Sequence, residues 1–305
     1  MRRPLLVAAA AALALSVIAM PGAGAAPAHE SGGPVFTGET TKSILPAKIH
    51  AQAGKPGGGQ PITYHRGGAV MTTGVKAYYI YYGDWTGGGQ SILDDFAANI
   101  GGSPYWAINT AYYDGAGKFV SPTVAFGGAV TAQTSLGNSL TDANIATIVS
   151  NEITSHRVAS DPTGVYFLLT GKNVTATSGF LTQYCGWHTY ASIGGTKIKY
   201  SFVGNATGPN LRNCAQQTAA SPNGNPGVDA MVSVLAHELE EAATDPELNA
   251  WFDNRGYENA DKCAWTFGAT YNASGGGIAN MKLGSRDYLI QQNWKLGNTQ
   301  LCALR

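Results

Sequence analysis

The run VDAMVSVLAHELEEAATD, from Val228 to Asp245, leaves this chain few structural choices. It follows a Pro/Gly-rich entry, Ser221 to Gly227, and meets Asp245-Pro246, where proline forbids further helix. At about 100° per residue the side chains sort onto two faces. Val228, Met231, Val232, Leu235, Leu239 and Ala242 share one apolar side. His237 and Glu241 lie one turn apart on the opposite side, with Glu238 beside them. The segment therefore predicts a helix with its back in a core and an imidazole and two carboxylates on its front.

That front is an H-E-x-x-E motif. In the zincin form, H-E-x-x-H, residues i and i+4 reach one ion while the intervening Glu acts on its water as general base. Here His237 and Glu241 are the expected metal ligands and Glu238 the expected catalytic base. A carboxylate in place of the second imidazole adds negative charge, so the ion's water should be less acidified. Zinc is the expected cofactor, with a harder divalent ion as the alternative. A further ligand is needed downstream, and Glu258-Asn259-Ala260-Asp261 offers an acidic pair. Glu258 would bind the ion and Asp261 would support from behind, or the reverse. Glu247 sits where metzincins place a third ligand, but Thr244 replaces the glycine of that motif, so it ranks lower. The competing reading is a solvated acidic face through Glu238, Glu240 and Glu241. His188 in the CGWH segment could line the same cleft, though a lone His near a disulfide is more often structural.

The rest of the chain predicts an α/β single domain, a mixed sheet packed with helices around a zincin-like (metzincin or gluzincin) helix. Lys76–Trp85 reads as a buried strand, Ser91–Ile100 as a helix and Pro104–Tyr113 as a second. Thr141–Thr154 opens on a capping residue and repeats Ile at helical spacing. Gly164–Gly171 reads as a central strand, and Lys197–Val203, which alternates, as a strand nearer an edge. The aromatics Tyr78, Tyr79, Tyr81, Tyr82, Trp85 and Trp106 read mainly as core.

Arg2 and Arg3, the apolar run Leu5–Met20 and Ala23-Gly24-Ala25 read as a signal peptide over residues 1–25. The run is too short to cross a bilayer. Residues 26–60, rich in Pro and Gly, read as a flexible leader, and 61–305 as the folded domain. The four cysteines suit export, with Cys185–Cys214 and Cys263–Cys302 the preferred disulfides because each closes a local loop. Lys+Arg and Asp+Glu balance at 19 each, which argues against nucleic-acid and membrane-surface partners. The expected protein is secreted and monomeric, with a peptide or cell-wall polymer as substrate. No G-x-S-x-G supports a serine hydrolase.

Tyr64-His65, YYIYYGDW, GVYFLLTG, CGWH, FVGN, PNGNPGVDAMV and the stretch from Ala269 to Cys302 together resemble the EXORDIUM-like, or phosphate-induced protein, family. The resemblance covers about residues 62–305 and implies export to the wall or extracellular space. It supplies no activity, because plant members mostly carry small or apolar residues where this chain has His237, Glu238 and Glu241. HELEEAATDP instead looks like the active helix of a bacterial zincin-like protein. The alternative function is a non-catalytic module that binds wall glycan.

Overall fold

The structure, a computed structural model, describes residues 35–36, 42–46 and 60–305. The expected signal peptide lies outside the described residues. In chain order the main elements are β1 (Val35–Phe36), β2 (Ser43–Pro46), β3 (Val75–Tyr82), α1 (Gln90–Asn99), β4 (Val124–Thr131) and α2 (Asp142–Thr154). They continue with β5 (Gly164–Thr170), β6 (Tyr184–Ile193), β7 (Thr196–Gly204) and α3 (Pro226–Thr244). Among the described residues the strands form a seven-stranded sheet in the order β1–β6–β7–β5–β3–β4, with β2 also on β6. Neighbours among β7, β5, β3 and β4 run parallel, while β6 is antiparallel to β7. The sheet is mixed, as expected.

Its central strands β3, β5 and β7 are buried on both faces, as parallel strands between helices must be. Every residue of β5 is buried. Along β3, Tyr79 and Tyr81 enter one core while Tyr78, Ile80 and Tyr82 enter the other. The first core takes Ile92, Leu93 and Phe96 of α1 and the apolar side of α3. The second takes Ile145, Ile148, Val149 and Ile153 of α2. α2 starts where the sequence predicted. The Thr141 hydroxyl accepts from the Asn144 N–H at 3.1 Å, and the Thr141 N–H donates to Asn144 Oδ1 at 2.9 Å, a reciprocal cap. α3 ends at Thr244, and Asp245 Oδ1 accepts the N–H groups of Asn249 and Ala250, which turns the chain back. Both expected disulfides are present. Among the described residues no helix is long and apolar enough to cross a membrane.

Four readings need correction. The expected helix over 104–113 is a 3-10 helix, Trp106–Ala111, held where Trp106 and Ile108 sink into the core. β7 is not near an edge, because β6 and β5 pair with its two sides. Its alternating lysines mislead: Lys199 is buried and donates to the Pro162 carbonyl, and burial lowers its amine to about 8. β4 and β6 were not anticipated, for neither shows a clean alternation of apolar and polar residues. Finally, the stretch read as a flexible leader contains β1 and β2, which pair with β6. Lys42 there forms an ion pair with Asp142.

Candidate metal centre

α3 is buried on every side from Gly227 to Thr244. Its apolar back joins the first core. Its front meets β6 and the segment that follows Asp245, so Glu238, Glu240 and Glu241 make no solvated face. Each is fully inaccessible to solvent. The close approach depends on Gly186 in β6, where a Cβ would lie 2.4 Å from Val234 Cγ1 and 3.0 Å from Glu238 Oε1. The absence of that carbon lets α3 lie flat on the strand.

His237 Nε2 lies 2.9 Å from Glu241 Oε1 and 3.5 Å from Asp261 Oδ1. The Asp261 N–H donates to Glu241 Oε1 at 3.0 Å. Two residues of the acidic pair thus meet the helix together: Asp261 comes to His237, and Glu258 comes to a partner that sequence reasoning had set aside. That partner is His188 of β6. Its Nδ1 is 3.3 Å from Glu238 Oε2 and 3.5 Å from Glu241 Oε2, and its Nε2 is 3.8 Å from Glu258 Oε1. Both histidines are fully buried, Glu258 is buried, and the Asp261 side chain is 6% exposed. The cluster therefore contains His188 as well as His237, Glu238, Glu241, Glu258 and Asp261. Glu247 is elsewhere, paired with Lys197 at 2.8 Å.

His188, Glu241 and Glu258 each offer a ligand atom within 4.8 Å of the others, and so do His237, Glu241 and Asp261. Imidazole nitrogen with carboxylate oxygen suits zinc and neighbouring divalent ions. Among the described residues His188 Nε2, His237 Nδ1 and Glu238 Oε1 have no hydrogen-bond partner. A buried polar atom left so costs about 1–3 kcal/mol, and three of them gather here.

The charges are strongly coupled. Burial alone would lower both imidazoles, but Glu258, Glu238 and Glu241 hold His188 well above its ordinary range, and Glu241 and Asp261 do so for His237. Burial pushes Glu238 up to about 7, with the Glu241 charge adding to it. Asp261 rises to about 6 for the same two reasons. Glu241 resists its burial and falls to about 2, because both histidines face it. One carboxylate of the cluster is thus firmly ionised while its neighbours compete for protons. Glu240 belongs to a different surroundings. It accepts from Asn293 Nδ2 at 2.5 Å, and burial raises its carboxyl well above the usual range.

Both disulfides flank the cluster. Cys185 is three residues before His188 on β6, and Cys263 lies two after Asp261, tied to Cys302. β2 runs beside the cluster, with Ser43 opposite His188 in the antiparallel register. At the far end of α3 lies a cleft of about 440 Å³, lined by Asp84, Trp85, Lys172, Asn205, Thr207 and Asn225.

The family model for the phosphate-induced protein 1 conserved region matches residues 62–294. The EXORDIUM-like 3 protein of Arabidopsis thaliana is 31% identical over 271 residues, which covers 76% of this chain and 80% of the relative. Protein EXORDIUM of the same plant is 28% identical, covering 74% and 81%. The PHOSPHATE-INDUCED 1 protein of Nicotiana tabacum is 26% identical, covering 71% and 82%. No solved structure matches the chain.

Proposed function

The chain belongs to the phosphate-induced protein 1 (EXORDIUM-like) family, and from that premise we propose that it is a secreted metal-dependent hydrolase, a peptidase, working through a zincin-like HExxE helix. The observation that carries this reading is the convergence of His237 Nε2, Glu241 Oε1 and Asp261 Oδ1 on one buried point, with Glu238 next in sequence. His237, Glu241 and Asp261 would hold the ion, zinc by the donor set, while Glu258, the other acid of the pair, stands at His188. A bound divalent ion supplies a polarised, more acidic water. Glu238 is the base: its Oε1 has no hydrogen-bond partner among the described residues, and its raised affinity for a proton suits it to take one near neutral pH. Peptide is the favoured substrate class because an extended chain can pair with the edge of β6, the position that β2 holds.

The test is Glu238→Gln, assayed on a peptide library with bound metal measured in parallel. The variant should keep its ion and lose turnover by about 100-fold or more. Undiminished turnover would exclude the mechanism. Export is checked by N-terminal sequencing of the secreted protein, which should begin just after Ala25.

A second reading has its own observation, the cleft that Trp85 lines at the far end of α3. A flat aromatic ring beside Asp84, Asn205 and Asn225 suits a hydroxyl-rich wall glycan. This reading expects saturable polysaccharide binding that survives a chelator and weakens at least tenfold in Trp85→Ala. Binding that is abolished by the chelator, or untouched by the substitution, removes it.

A further inference from the structure

We propose that the cluster is built for two divalent ions, with Glu241 bridging them, and that His188 is a ligand of the second. The inference rests on the metal-site reading above and sharpens it. Glu241 turns its oxygens to different partners. Oε1 lies beside His237 and the Asp261 backbone, and Oε2 lies beside His188. A carboxylate between two ions presents one oxygen to each.

The remaining donors divide on the same plan. His237 comes with Asp261 and His188 with Glu258, and only Glu241 is common to the two groups. Each group therefore has one imidazole, one acid of its own and one shared acid. His188 also has the support expected of a ligand. Glu238 Oε2 faces its Nδ1 at 3.3 Å and orients the ring, while Nε2, without a hydrogen-bond partner, faces Glu258.

Glu238, Glu241 and Glu258 are buried beside two buried imidazoles, and divalent ions held among them would offset that costly concentration of charge. Paired ions about 3.5–4 Å apart recur in hydrolases because the pair stabilises both the attacking and the leaving oxygen. For this chain the pair gives His188, fifty positions before Glu238 in the sequence, a direct role at the centre.

The test uses the full chain loaded with zinc or manganese(II), freed of excess ion and analysed for metal per chain. Two ions per chain are expected. The manganese form should show the exchange-coupled paramagnetic resonance spectrum of a pair rather than that of isolated ions. His188→Ala should retain one ion and lose the coupling. One ion per chain in the unaltered protein, with an uncoupled spectrum, overturns the pair and leaves the hydrolase reading standing. No bound ion overturns both. The measurements on the unaltered chain do not depend on whether His188→Ala folds.

Discussion

At the residue scale, the run Glu238-Leu239-Glu240-Glu241 separates function from packing within one helical turn. Glu238 and Glu241 face the histidines, whereas Glu240 faces Asn293 in a pocket next to Tyr112. Burial keeps Glu240 protonated in the folded chain well above the usual range, while the unfolded chain ionises it near pH 4.3. Above that pH the unfolded state binds fewer protons at this site than the folded state, so the native protein loses stability as pH rises. Gln is neutral and similar in shape, and carries no such penalty. Glu240→Gln should therefore match the unaltered chain near pH 4 and become progressively more stable than it toward pH 7, with metal content unchanged. Denaturant midpoints across that range check the sign, and a variant that is less stable at pH 7 would show Glu240 to be ionised. Five members of the cluster were legible because local spacing exposed them: i, i+1 and i+4 on a helix, then an acidic pair before a cysteine. His188 was not. It sits on a distant strand, and no local pattern reveals that a strand will pass under a helix front.

At the element scale, what reads clearly from sequence is what has one dominant period. α2 and α3 carry helical spacing with a cap or a stop, and β5 is apolar throughout. β6 does neither. Its CGWHTYASI mixes ring, hydroxyl and glycine because one side packs on Phe202 and Tyr200 while the other must accommodate both α3 and an imidazole. Lys199 hid the central place of β7 in the same way, since a buried lysine imitates an edge. Gly186 is the hinge of this packing, and its substitution gives a test of the element. In Gly186→Ala the new carbon would press on Val234 and Glu238, so α3 must lift from β6. The expected cost is about 1–3 kcal/mol, typical of overpacking. Metal affinity should fall with it, because His188 and Glu241 are held by opposite sides of that contact. Urea midpoints together with zinc titration check the prediction. Loss of stability with unchanged affinity would mean that the cluster does not depend on the α3–β6 approach.

At the scale of the whole molecule, the N-terminal strand β2 lies along the edge of β6 next to the cluster. β2 pairs with β6 beside His188, and Lys42 lies over the Trp187 ring at 4.7 Å, on the sheet face opposite the cluster. That segment read as a flexible leader because it is rich in Pro and Gly, and so short a pairing strand has no period of its own to announce it. A chain beginning at Gln60 keeps the Gln60 carbonyl that accepts from Lys262 but loses β1 and β2. Its β6 edge would then present unpaired backbone N–H and C=O groups, an invitation to an extended peptide or to self-association. Two consequences separate a cover from a structural strand. If β2 covers the centre, removing it raises peptide turnover while the amides of residues 184–192 exchange faster with solvent. If β2 only completes the sheet, exchange quickens in the same way but turnover falls along with stability. Comparing the two chains at equal metal loading, by exchange mass spectrometry and by peptide hydrolysis, decides whether β2 covers the centre or only completes the sheet.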